Sequence, residues 1–248
     1  MSQLVEWGRL TWPEAREAVT AMPAALLPIG AVEQHGPHMT LAADALAAES
    51  LGRLLAQRTG AILLPTLPYG QVWSLSSFPG SLSISNDTLQ RVLVDLVSAL
   101  GRQGFRAVVL LSGHLGNMTA MKEAAREVFT RGGPKTYFLF YPGLSEAAAG
   151  VIESAPSHGG LMHADETETS LLLALAPEAV HLERAVAEYP NYPPDFDVTP
   201  YMWEAVCSSG VFGDATLASA EKGQRLVSGV LERTVPLIEQ LIAEVKKQ

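Results

Sequence analysis

Residues 25–44, ALLPIGAVEQHGPHMTLAAD, carry four side chains that could hold a metal ion: Glu33, His35, His38 and Asp44. Glu33 and His35 stand two apart, a spacing that turns both to the same side of an extended chain. Imidazole together with carboxylate suits zinc, manganese or iron, whereas calcium and magnesium prefer oxygen alone. Singly, each is a polar residue of the kind loops collect; jointly they point to a metal site. Two later stretches carry the same chemistry. Ser112-Gly113-His114-Leu115-Gly116-Asn117 adds a histidine, with glycines for a tight turn and N–H groups at a helix start that can receive an anionic or carbonyl oxygen. No lysine follows, as a P-loop would require. The segment 157–170 combines His158 and His163 with Asp165, Glu166 and Glu168. Glu166 and Glu168 point in different directions at a helix start, so only one is expected to face a shared metal, and first turns favour acidic residues for dipole reasons as well.

The elements around these stretches place them at strand ends. The apolar run 25–30 reads as a buried strand that stops at the Glu33 loop, and 45–58 as the helix that follows, opened by Asp44. Residues 61–67 read as a second strand, and FRAVVLL at 105–111 as a buried parallel strand delivering His114. The pattern predicts helices at 12–21, with Thr11 and Glu14 as a capping box, at 86–103 and at 118–130. A strand at 135–140 follows, then a short helix or loop at 143–154. A final helix at 219–247 contains Pro236, which should kink it. Between them, 71–85 is a long turn-rich loop and 177–211 an irregular excursion suited to a lid or a subunit contact. Strands alternating with helices give an α/β fold, a three-layer α/β/α sandwich with a mostly parallel central sheet, formed as one domain over residues 1–248. Ligands bind such sheets outside the carboxyl ends of the strands, where these loops lie.

Composition narrows the partners. Hydrophobic residues are 48% and charged residues 17% of 248, a globular rather than a disordered balance. The net charge of −9, without a basic run, argues against nucleic acid and anionic membranes and leaves a small-molecule substrate as the expected partner. Cys207 is the single cysteine, so neither an internal disulfide nor a cysteine-rich metal site can form. The thiol is expected to be buried and structural. No apolar stretch has the length to span a bilayer and the first residues lack a signal h-region, so a cytoplasmic location is expected.

Four ordered segments give the chain a family likeness. Gly30-Ala31-Val32-Glu33-Gln34-His35-Gly36-Pro37-His38 with Asp44, then Phe78-Pro79-Gly80-Ser81, then Ser112 to Asn117, then His163-Ala164-Asp165-Glu166-Thr167-Glu168-Thr169-Ser170 resemble signatures of the creatininase (creatinine amidohydrolase) family. The resemblance implies an amidohydrolase with two adjacent divalent ions, zinc first and manganese or iron as alternatives, assembled as a homo-oligomer, often a hexamer. It also implies Glu33, His35, Asp44, His114 and Glu166 as metal ligands, with Asp44 bridging. His163 resembles the family's acid/base residue, Glu166 joins it as a catalytic carboxylate, and His38 falls behind the ligands. The chain departs from creatininase itself. Gly116 stands where creatininase has a ligand glutamate two residues after its loop histidine, Met162 where it has a carboxylate, and Leu75 near a position where many members have histidine.

These departures turn the expected substrate away from creatinine. The implied reaction is hydrolysis of a cyclic amide, a formamide or a related small-molecule C–N bond by water activated between the ions, with His163 passing a proton to the leaving nitrogen and N–H groups near Gly116 and Asn117 receiving the oxyanion. Alternatives are ring-opening hydrolysis of a cyclic ketone or lactone, and a non-catalytic metal- or metabolite-binding protein. A nucleotide-binding dehydrogenase is disfavoured, because no GxGxxG follows the first strand.

Overall fold

The structure is a computed structural model that describes residues 3–160 and 162–247. Four parallel strands form the central sheet in the order β2-β1-β3-β4: β1 Ala24–Ile29, β2 Ile62–Leu63, β3 Ala107–Ser112 and β4 Lys135–Phe140. Buried on both faces, β1 and β3 are continuous apolar runs whose side chains alternate between two cores. Leu26, Val109 and Leu111 point into one, Leu27, Ile29, Val108 and Leu110 into the other. The first core is closed by α2 (Ala43–Thr59), α5 (Leu144–Ala148), α6 (Glu166–Leu175) and α7 (Ala220–Lys246). The second is closed by α1 (Trp12–Ala21), α3 (Asn86–Arg102) and α4 (Met118–Thr130). A helical layer on each face is the α/β sandwich read from the sequence.

Local chemistry sets the boundaries. Glu14 accepts from Thr11 N–H at 2.7 Å and from its hydroxyl at 2.6 Å, holding the start of α1. Ser85 caps α3 by accepting from Thr88 N–H at 3.1 Å. The second strand is shorter than the 61–67 run suggested. Regular pairing ends at Leu63, with Leu64 N–H donating to Leu26 O at 2.9 Å, and resumes only as a single bridge between Leu67 and Ile29. The excursion 177–211 is a series of turns, tied back by β5 (Ala187–Glu188), which pairs antiparallel with β6 (Gly213–Asp214). α7 continues through Pro236. Among the described residues no helix is long and apolar enough to cross a membrane.

Candidate metal centre

Glu33 and His35 leave the end of β1, Asp44 opens α2, and His114 follows β3, so parallel strand order alone carries them to one end of the sheet. There they converge. The Asp44 carboxylate lies between the two imidazoles, with Oδ1 3.2 Å from His35 Nε2 and Oδ2 3.3 Å from His114 Nδ1. Glu33 Oε1 is 3.0 Å from His114 Nδ1, and Glu168 Oε2 is 3.9 Å from His35 Nε2. Among the described residues three groups have ligand atoms within 4.8 Å of one another: Glu33–Asp44–His114 and His35–Asp44–Glu168, two triads that share Asp44, and Glu33–His35–His163. Gly113 permits this approach, since a Cβ there would stand 2.2 Å from the carbonyl oxygen of Asp44.

Backbone contacts hold the donors. His114 Nε2 donates to the carbonyl of Gln71 at 2.7 Å, which leaves Nδ1 for the carboxylates. The buried Asn117 amide ties three loops, donating to Gly30 O at 3.0 Å and Ser112 Oγ at 3.2 Å and accepting from Gln71 N–H at 3.0 Å. The 71–85 loop thus supports the site. Leu75 does not face the cluster; it is buried with Ala31 and Val72 under Phe78 and Trp203.

The two glutamates of the third segment separate. Asp165 caps α6, its Oδ1 accepting from Thr167 N–H at 2.8 Å and Glu168 N–H at 3.0 Å. That makes Glu168 the third helical residue, whose carboxylate reaches back past the cap and accepts from Ala164 N–H at 2.6 Å. Ala164 is held at φ 52°, which aims this N–H at the carboxylate. Glu166, the glutamate expected among the ligands and catalytic groups, lies elsewhere. At the first helical position it turns away from the cluster to Lys222 Nζ and to the N–H groups of Glu153 and Ser154, the latter at 2.7 Å. Its place in the cluster is taken by Glu168. A D-x-x-E pattern, cap followed by third-position glutamate, is the signal in the sequence that separates the two.

His163 stands at the edge of the cluster, with Nδ1 3.8 Å from Glu33 Oε1 and 3.9 Å from Glu168 Oε2. Its Nε2 meets both ends of Gln34, the backbone carbonyl at 3.0 Å and the side-chain Nε2 at 2.9 Å. Gln34 therefore complements either tautomer, accepting from Nε2–H in one and donating to the bare nitrogen in the other. The amide orientation is fixed by Gly36 N–H donating to Oε1 at 2.8 Å and by Nε2 donating to Gly210 O at 3.1 Å. Trp203 and Phe212 pack edge-on against the ring. Burial, with His35 nearby, pushes the His163 pKa well down. His38 turns away to Thr169 Oγ1 at 2.8 Å, and burial lowers it to about 4. The N–H of Asn117 is spent on His114 O at 3.3 Å, so the oxyanion role expected near Gly116 and Asn117 loses that donor.

The electrostatics of the cluster call for cations. Among the described residues, the ion-pair partners of Glu33, Asp44 and Glu168 are all histidines. Burial opposes charge on His35, yet Asp44, Glu168 and Glu33 overcome it and raise its pKa to about 10. His114 is likewise held up against burial by Glu33 and Asp44. Burial raises Glu168 to about 8 and raises Glu33, while the two imidazoles hold Asp44 far below the usual carboxylate range in spite of its burial. Glu33 Oε2 and Asp44 Oδ2 are buried without a hydrogen-bond donor. Carboxylate and imidazole donors in two triads, with orphaned oxygens, fit divalent ions.

Position 116 explains one departure. A Cβ on Gly116 would lie 2.4 Å from His114 Nε2 and 2.5 Å from Gln71 O, so this backbone leaves no room for a ligand side chain. A groove of about 580 Å³, whose lining includes Leu115, Tyr141, Met162, Asp165 and Phe196 but none of the cluster's donors, meets the cluster's surroundings at Tyr141.

Known proteins resemble this chain along nearly its whole length. The family profile described as creatinine amidohydrolase matches residues 8–238. Creatinine amidohydrolase of Pseudomonas putida is 34% identical over 92% of this chain and 93% of its own length. A mycofactocin precursor peptide peptidase of Mycobacterium ulcerans (strain Agy99) is 31% identical over 93% of this chain and 90% of its own. Creatininase structures in a zinc–zinc form and a manganese form each superpose with a TM-score of 0.85 at 30% identity, covering 97% of this chain and 99% of theirs. A profile spanning nearly the whole chain, a third of residues shared with a relative and a common fold lead to one conclusion: the chain belongs to the creatininase (creatinine amidohydrolase) family.

Proposed function

We propose that this chain is a dinuclear metallohydrolase that cleaves a C–N bond in a small amide other than creatinine. The observation that carries the reading is Asp44, whose two oxygens serve two separate triads. Glu33, Asp44 and His114 would hold one ion and His35, Asp44 and Glu168 the other, zinc being the ion the donors favour and manganese or iron alternatives. Bound there, the ions supply Lewis-acid polarisation of a carbonyl and a water acidified toward neutral pH.

The chain's own groups do the rest. Asp44 fixes the spacing of the two halves, and Gln71 fixes the ring of His114. His163 is kept neutral by burial and offers Nδ1 toward the cluster, so it can take a proton there and give it to a departing nitrogen. Gln34 follows the change at Nε2 with one of its two groups. Creatinine is disfavoured because neither Met162 nor Gly116 can supply the carboxylates that creatininase has at the corresponding places.

A second reading has one observation behind it. The groove beside Leu115 is larger than a single small ring needs, and the mycobacterial relative is named a peptide peptidase, so the amide could belong to a peptide. Assay of zinc- and manganese-loaded protein on lactams, formamides, short peptides, lactones and cyclic ketones, with products identified, tests both. Amide hydrolysis that vanishes in His114→Ala supports the proposal; ring opening of a ketone or lactone alone, or turnover retained with full metal content in His114→Ala, contradicts it.

A further inference from the structure

Tyr141 has no part in the triads, yet it is one of two non-glycine residues with positive φ near them, beside Ala164. It follows β4 at the site end of the sheet with φ 39°, a left-handed backbone that a bulky side chain rarely adopts. The turn carries the ring inward, where Tyr141 is 5% exposed. Its hydroxyl has one hydrogen-bond acceptor among the described residues, the carbonyl of Gly113 at 3.5 Å, the outer limit of such a contact. With His35, Asp44, Glu168, Met39 and Leu171 the ring lines a cavity of about 20 Å³. Roughly 10–15 Å³ is enough for one water, provided that two or more polar groups receive it. Two carboxylates and a phenol meet that need. Rare backbone conformations cluster where function requires a side chain in a particular place.

We propose that Tyr141 is a positioning residue: its hydroxyl, through one water in this cavity, holds the carboxylates of Asp44 and Glu168 on the His35 side of the centre. It therefore acts most on the affinity of the ion on that side, and reaches the ion at His114 only through the shared carboxylate of Asp44. The inference rests on the two-ion reading above. Groups that orient metal ligands typically change affinity about 10–100-fold when removed.

Tyr141→Phe removes the oxygen and keeps the ring. Metal-stripped wild type and Tyr141→Phe are titrated with Zn²⁺ and, separately, with Co²⁺ followed by its visible absorption, and the metal-stripped proteins are melted. The expected result is two ions in wild type, one ion about 10–100-fold weaker and the other weakened less in Tyr141→Phe, the larger change in the Co²⁺ spectrum at the first, and equal melting temperatures. Two ions bound with wild-type affinity by Tyr141→Phe would overturn the inference and leave the proposed function standing. Equal weakening of both ions, or a lower melting temperature of the stripped variant, would make Tyr141 a packing residue and overturn it too. Wild type that takes up no pair of ions would remove this inference and the proposed function together.

Discussion

His114 donates from Nε2 to the carbonyl oxygen of Gln71 at 2.7 Å, and this contact decides which ring nitrogen faces Glu33 and Asp44. A carbonyl cannot be substituted, but its neighbour can. Gly116→Ala would drive a methyl group to within 2.5 Å of that oxygen and 2.4 Å of Nε2, so the contact must break. The variant is expected to lose about 10–100-fold in affinity for the ion at His114, measured by competition with a chromogenic chelator.

The two glutamates of α6 give opposite expectations. Glu168→Gln removes a donor from the His35 triad and should abolish tight binding of one ion together with activity. Glu166→Gln should keep both ions, because that side chain faces Lys222 and the N–H groups of Glu153 and Ser154, and should only lower the melting temperature. Metal content by mass spectrometry beside thermal melts separates them.

Proton linkage fixes the sign of the pH dependence. His35 rises from 6.5 to about 10, so its contribution to stability is complete below 6.5 and is lost as pH climbs toward 10. Glu168 rises from 4.5 to about 8, so the folded chain holds its proton through that window and stability falls across it as well. Chelator-treated protein should therefore melt higher at pH 6 than at pH 9. Ions compete with these same protons, so zinc affinity should rise over the same interval and saturating zinc should narrow or reverse the difference. Melting curves at both pH values, with chelator and with zinc, check this.

His163→Asn should keep both ions while the turnover number falls about 10²–10⁴-fold, the range of a general acid–base group. Gln34→Leu should lower turnover by a smaller factor, because the backbone carbonyl still serves one tautomer of His163 and only the side-chain donor for the other is lost. Steady-state kinetics on metal-verified protein distinguishes both from loss of an ion.

Much of this was legible in the sequence because parallel strands advertise themselves. The unbroken apolar run of β3 and the glycine-bounded loops after β1 and β3 place His35 and His114 at one sheet edge without any knowledge of packing. The glutamate of α6 was legible in kind, and its position only through the D-x-x-E pattern once Asp165 is known to cap the helix. Choosing Glu168 over Glu166 depends on which residue caps the helix and on Lys222, a partner 56 residues away that no local pattern reveals. Tyr141 was hidden for another reason: its role follows from a backbone angle, and the sequence around it reads as the end of an ordinary strand.

The central claim is that one carboxylate joins two ion sites, and ion stoichiometry tests it most directly. Protein stripped with chelator, reloaded with zinc and dialysed should carry two ions per chain, and Asp44→Asn should carry fewer than one, since both triads lose their shared member. Two tightly held ions in Asp44→Asn, or none in the wild type, would contradict the account.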